Sequence, residues 1–214
     1  MPTKKEIIKK TKALYRGLGW PTIFTHIRFF TAPYEKLEKL VPKKGFIIDL
    51  GCGYGIFSNF LGLTGPKREV LGIELDSKKI KFAQRGVGNV KFLRADITKI
   101  KLKKTDVILL IHVLHHLDSF AQQEKLLLEC KKKLKNGGRI IIAEVDKKPI
   151  LKYILGWLAD KILYPGDKIY YRMPNEFKRL FQDLGFTVKM IKADNGKPFA
   201  HIIYVLKKND EENI

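Results

Sequence analysis

Short runs in which nearly every residue is apolar recur along the chain, each followed by a stretch whose apolar positions return every three or four residues. The runs at 45–50 (GFIIDL), 69–75 (EVLGIEL), 90–96 (VKFLRAD), 105–111 (TDVILLI) and 138–145 (GRIIIAEV) predict strands. Between them, 56–63 (IFSNFLGL), 77–86 (SKKIKFAQRG) and 119–135 (SFAQQEKLLLECKKKLK) predict helices, with Asp76 and Ser77 placed to cap the second. Near-continuous apolar strands alternating with helices predict a parallel sheet covered on both faces.

The C-terminal end breaks this alternation. Residues 175–186 predict a helix stopped by Gly185, and 186–194 and 200–208 predict two strands joined by the turn NGKPF, an antiparallel hairpin. No internal repeat or low-complexity linker interrupts the pattern. The expectation is one domain over 1–214, with an N-terminal helical segment (1–40), a core (41–146), an apolar and aromatic insertion (147–173), and a C-terminal helix and hairpin (174–208).

Straight after the first strand stands IIDLGCGYG, with glycines at 51, 53 and 55. Glycines there permit tight turning and let a ligand approach the backbone, at the end of the sheet where open parallel sheets bind ligands. A dinucleotide loop, G-x-G-x-x-G/A, requires a small residue where this chain has Ile56. A phosphate-binding G-x-x-x-x-G-K-[ST] loop requires Gly-Lys where Ile56 and Phe57 stand. A ligand without a pyrophosphate fits better.

At this point the chain resembles the class I S-adenosylmethionine-dependent methyltransferases, over roughly residues 40–206. IIDLGCGYG is similar to the family's D-x-G-x-G-x-G, and LGIELD, FLRADI and LKNGGRIIIAEV follow in the family's order. The resemblance implies a Rossmann-like α/β fold, a seven-stranded, mostly parallel sheet with helices on both faces and one antiparallel strand in the C-terminal hairpin. It implies S-adenosyl-L-methionine as cofactor. Glu74 would accept from the ribose hydroxyls, Asp96 from the adenine amino group, and Leu75 and Ile97 would pack the adenine. Asp49 would order the loop near the methionine amino group, and amides from Gly51, Cys52, Gly53, Tyr54 and Gly55 would meet the methionine carboxylate. Ile111 and His112 would wall the cofactor pocket.

LLIHVLHHLDSF (109–120) follows the fourth strand, so His115 and His116 stand as candidate proton acceptors, with shaping of the loop as the alternative reading. The N/D-P-P-Y/F motif of amine methylators is absent there, and neither Cys52 nor Cys130 follows a proline as a cytosine-methylating nucleophile does. No His/Cys cluster has metal-ligand spacing, so no metal is expected.

An apolar share of 45% with 11% aromatics indicates a folded globule. No run reaches transmembrane length, and the basic N-terminus lacks a signal-peptide core, so the expected location is the cytoplasm. The net charge of +20 has two readings, attraction to phosphates of nucleic acid or an anionic membrane, and a bias of composition. The insertion's helix places Lys152, Gly156 and Asp160 every four residues and is otherwise apolar, so it is buried, roofs a greasy acceptor or lies on a membrane. With family lids in mind, Tyr15, Arg28, Tyr34, Tyr170, Tyr171 and Arg172 are acceptor-site candidates. The expected activity is methyl transfer to oxygen or carbon of a small or lipid-like acceptor, of the quinone-biosynthesis type. RNA methylation using the basic surface and cofactor binding without catalysis are the alternatives. Oligomeric state is not legible in the chain.

Overall fold

A computed structural model describes residues 2–146, 148–163, 170 and 172–209, with the helical backbone alone at 159–161 and 163. Three helices come first, α1 (Lys4–Ala13), α2 (Trp20–Thr31) and α3 (Tyr34–Leu40). Strand–helix units follow: β1 (Lys44–Leu50), α4 (Ile56–Thr64), β2 (Lys67–Glu74), α5 (Ser77–Ala83) and β3 (Val90–Arg94). After β4 (Thr105–Ile111) comes a short 3-10 turn (Leu114–His116), then α6 (Phe120–Lys133) and β5 (Leu134–Val145). The chain ends in α7 (Ile150–Leu163), α8 (Pro174–Asp183), β6 (Phe186–Lys192) and β7 (His201–Lys208).

The seven strands form one sheet in the order β3-β2-β1-β4-β5-β7-β6. All neighbours pair in parallel except β7, which runs antiparallel between β5 and β6. Strand order reverses between β1 and β4, so a crevice opens at their carboxyl ends. Alternate residues of the central strands serve opposite faces. Ile48, Leu50, Ile108 and Leu110 pack with Leu127 of α6 and Phe177 and Phe181 of α8. Ile47, Val107, Leu109 and Ile141 pack with Phe57 and Phe60 of α4 and with Tyr15 and Leu37 from the N-terminal segment. Both faces are covered, which is why the strands read as continuous apolar runs.

Besides shorter ends for α5 and β3, two outcomes differ from the sequence reading. β5 begins at Leu134, taking residues 134–135 that the helical pattern had absorbed. More consequentially, α7 turns its small and polar stripe inward. Gly156 is buried and Lys152 pairs with Asp194 at 3.1 Å, while Ile150, Leu151, Ile154, Leu155, Trp157, Leu158 and Ile162 are 39–77% exposed. The apolar arc is therefore not core. The side chain of Asp160 lies outside the described residues. On α2, Trp20, Ile23, Ile27 and Phe30 form a second exposed apolar face, 37–66% accessible.

Candidate active site

The loop between β1 and α4 is pinned from both sides. Gly51 and Cys52 N–H groups donate to the Ile73 carbonyl of β2 at 2.8 and 3.0 Å. Gly53 N–H donates to Glu74 Oε2 at 2.9 Å, while Oε1 accepts from Leu75 and Asp76 N–H at 2.9 and 3.0 Å. Below the loop, the Tyr15 hydroxyl donates to the Tyr54 carbonyl and accepts from Asn59 Nδ2, both at 2.8 Å. Gly53 has φ +56°, and a Cβ there would meet no atom within 4 Å, so its open side faces the cavity. At Gly51 (φ +70°) a Cβ would come within 2.7 Å of Val113. Both positions demand glycine, one for conformation and ligand approach, the other also for packing.

Two cavities meet at this loop. The larger, about 460 Å³, is lined by Gly51, Gly53, Glu74, Leu75, Asp96, Ile97, His112 and His116, together with Lys79, Leu117 and Gln122 that the sequence did not single out. The smaller, about 140 Å³, has walls of Phe24, Ile27, Arg28, Thr31, Tyr34, Asp49, Cys52, Tyr54, Phe57, Ile111, Gly156, Phe199 and His201. Gly51, Gly53, His112 and His116 border both. Gly55 borders neither; a Cβ there would strike Phe92 at 2.6 Å, so its role is packing.

The carboxylates differ in state. Asp49 is buried, accepts from the Ser58 hydroxyl at 2.5 Å, and is pushed up to about 7, chiefly by burial and against the pull of that bond. Asp96 is held below the usual carboxylate range by hydrogen bonds from the Thr98 hydroxyl and N–H, at 2.7 and 2.9 Å. A neutralisable buried acid and an ionised rim acid suit the two ends of a ligand bearing an ammonium group and an adenine amine. With the open Gly53 backbone, these residues fit S-adenosylmethionine.

The histidines divide. His112 has φ 56°, rare outside glycine, and its N–H donates to Ala143 O at 2.8 Å; burial drives its pKa well below the ordinary histidine value. His116 borders both cavities. His115 borders neither. Its ring is 1% exposed and its Nδ1 sits 2.5 Å from Glu144 Oε2, while Glu144 Oε1 accepts from Leu114 N–H. That buried pairing turns His115 into the fold and corrects its expected place beside the acceptor. His201, at the head of β7, was missed. Nothing but strand pattern marks it in the sequence.

Of the acceptor-site candidates, Arg28 and Tyr34 line the smaller cavity, joined by a 3.3 Å bond from Arg28 Nε to the Tyr34 hydroxyl. Tyr15 is fully buried beneath the loop and so supports it from below. Arg172 and Tyr170 pack on α6 away from both cavities. Arg172 pairs with Glu124 at 2.8 Å and lies over Phe120, and Tyr170 N–H donates to the His115 carbonyl. Tyr171 lies outside the described residues. Among the described residues, no group of three or more His, Cys, Asp or Glu side chains is placed to hold a metal ion.

Known proteins resemble this chain in sequence and in fold. A family described as a methyltransferase domain matches residues 48–142. The ubiquinone biosynthesis O-methyltransferase of Rickettsia prowazekii is 23% identical over 189 residues, 83% of this chain and 67% of that one. The demethylmenaquinone methyltransferase of Thermotoga maritima is 26% identical over 113 residues, 52% of this chain and 47% of that one. Among solved structures, the magnesium protoporphyrin IX methyltransferase of Synechocystis with bound SAH matches with a TM-score of 0.65 at 19% identity, covering 82% of each chain. Motif order, strand order and the glycine loop agree with these matches: residues 48–142 carry a methyltransferase domain of the class I S-adenosylmethionine-dependent kind, with S-adenosylmethionine as its cofactor.

Proposed function

We propose that the enzyme methylates an oxygen or carbon of a small, lipid-like acceptor that reaches the site from an anionic membrane surface. The observation carrying this is the meeting of an acid-lined cleft with a largely apolar, aromatic cavity at Gly51, Gly53, His112 and His116. Bound S-adenosylmethionine supplies a sulfonium-activated methyl group open to in-line attack. The chain's own part is alignment. Glu74 and Asp96 anchor the nucleoside end, Asp49 and the loop amides hold the amino-acid end, and Phe24, Ile27, Tyr34 and Phe57 hold the acceptor. The quinone-related names of the two relatives support a quinone-like acceptor.

Membrane approach is supported by the exposed apolar faces of α2 and α7, helices whose other residues reach the acceptor cavity through Ile27 at the edge of one face and the inward Gly156, and by the +20 charge. Among the described residues no helix is long and apolar enough to cross a membrane, so these faces suit lying at its surface.

The test incubates the protein with methyl-labelled S-adenosylmethionine and a fractionated cell extract, with Glu74→Ala as control. Label in the organic-solvent fraction is expected. Label in acid-precipitable RNA would transfer the assignment to a nucleic-acid acceptor, with activity falling steeply as salt rises. Cofactor binding with no labelled product in any fraction would favour a non-catalytic role.

A further inference from the structure

His201 sits at a place where a merely structural histidine leaves something unexplained. It is 2% exposed and lines the acceptor cavity. Its Nε2 lies 2.9 Å from the Thr31 carbonyl oxygen. A carbonyl can only accept, so that nitrogen carries the hydrogen and Nδ1 keeps its basic lone pair. Nδ1 is buried and has no hydrogen-bond partner among the described residues. Buried polar atoms are normally satisfied, and the described residues offer this one nothing.

The groups around it are few. From α2, Arg28 lines the same cavity one turn before Thr31. From the loop after β4, the His112 ring lies 5.0 Å from the His201 ring, and its buried Nε2 likewise has no hydrogen-bond partner among the described residues. From the β6–β7 connection, Lys197 is taken up by the Phe29 and Phe30 carbonyls, and Asp194 by Lys152. Burial above all, then the Arg28 and Lys197 charges, hold His201 down to about 4. The cavity therefore carries a neutral base and a cation on its walls.

Resting on the methyl-transfer reading above, we propose that His201 removes the proton of a phenol-type hydroxyl on the acceptor and that Arg28 holds the resulting oxyanion. The O–H bond breaks, its proton joins the Nδ1 lone pair, and the bonding electrons stay on oxygen. No co-reactant is needed and the site's net charge is unchanged. An oxyanion within about 4–6 Å raises the ring's affinity for the proton, so the base strengthens once the acceptor is seated. An acidic hydroxyl is thereby selected over an ether or an unactivated alcohol.

The test needs no turnover. 4-Nitrophenol, whose phenolate is coloured and whose phenol is not, is titrated into the full-length protein with S-adenosylhomocysteine present, at a pH about one unit below the probe's own pKa. Wild-type protein is expected to bind it largely as phenolate. His201→Gln should lower the bound phenolate fraction several-fold while S-adenosylhomocysteine affinity, read by calorimetry, is kept. Arg28→Met should lower it independently, which covers the case of a His201 variant that fails to fold. Undiminished phenolate in folded His201→Gln, or no phenolate band with wild type, overturns the proposal. Failure of the broader reading is separate, because it appears as absent methylated product in the labelling assay while the colour change remains.

Discussion

The Gly53 amide donates to the Glu74 carboxylate at 2.9 Å, tying the middle of the glycine loop to the end of β2. One carboxylate thus shapes the loop and lines the larger cavity, where the cofactor is proposed to bind. Removing it loses a charge-assisted bond, a loss of about 1.5–3 kcal/mol. Glu74→Ala is expected to weaken S-adenosylhomocysteine binding at least tenfold by calorimetry, with Glu74→Gln in between. Unchanged affinity in Glu74→Ala would remove it from the cofactor site.

Asp49 gives a pH dependence of definite sign. Its folded pKa, about 7, lies above its ordinary 3.8. The folded protein therefore holds a proton that the unfolded chain has lost, so stability is greatest at low pH and falls as pH rises through 7. Asp49→Asn removes this dependence. Its stability relative to wild type should rise by about 2–3 kcal/mol between pH 5 and 8.5 in urea melts. Its cofactor binding should weaken, since no carboxylate remains for the ammonium group. A difference independent of pH would refute the buried-acid assignment.

His115 and His116 should separate by assay. His115→Ala leaves the Glu144 carboxylate without its ring partner in the core, a cost of about 1–3 kcal/mol in a denaturant melt. His116→Ala removes a side chain bordering both cavities, and should cut turnover more than it lowers the melting midpoint. The reverse pattern would exchange their roles.

The exposed faces of α2 and α7 predict lipid binding. Phe30→Asp with Leu158→Glu should abolish co-sedimentation with vesicles containing anionic phosphatidylserine. Because both side chains are exposed, stability should stay within about 0.5 kcal/mol of wild type. Equal sedimentation of variant and wild type would assign those faces to another partner.

Much of the fold was legible because its signals are local. The apolar runs at 45–50 and 105–111 became β1 and β4 with little change, since strands buried on both faces have no polar side to blur the pattern. That Gly51, Gly53 and the acids at 49, 74 and 96 share the carboxyl end of the sheet was legible for a related reason, as their spacing follows from one strand–loop–helix unit repeated in order. Arg68 shows where such reading stops. It is wholly buried, paired with Glu38 at 3.0 Å and bonded to the Pro42, Val41 and Leu61 carbonyls, and nothing near it in sequence announces those partners.

What the chain alone determined is the order of its elements, the kind of domain and its cofactor, all carried by motifs whose residues lie close together in sequence. Only the tertiary structure decided which distant residues line the smaller cavity. Insertion of β7 antiparallel between β5 and β6 brings His201 level with Val145 and up to Thr31, so its neighbours come from three distant segments. The burial of His115 against Glu144 depends on β5 lying beside β4. The face of α7 turned inward was open too, because a helical apolar pattern reports which residues share a side and says nothing of whether that side meets protein, lipid or water.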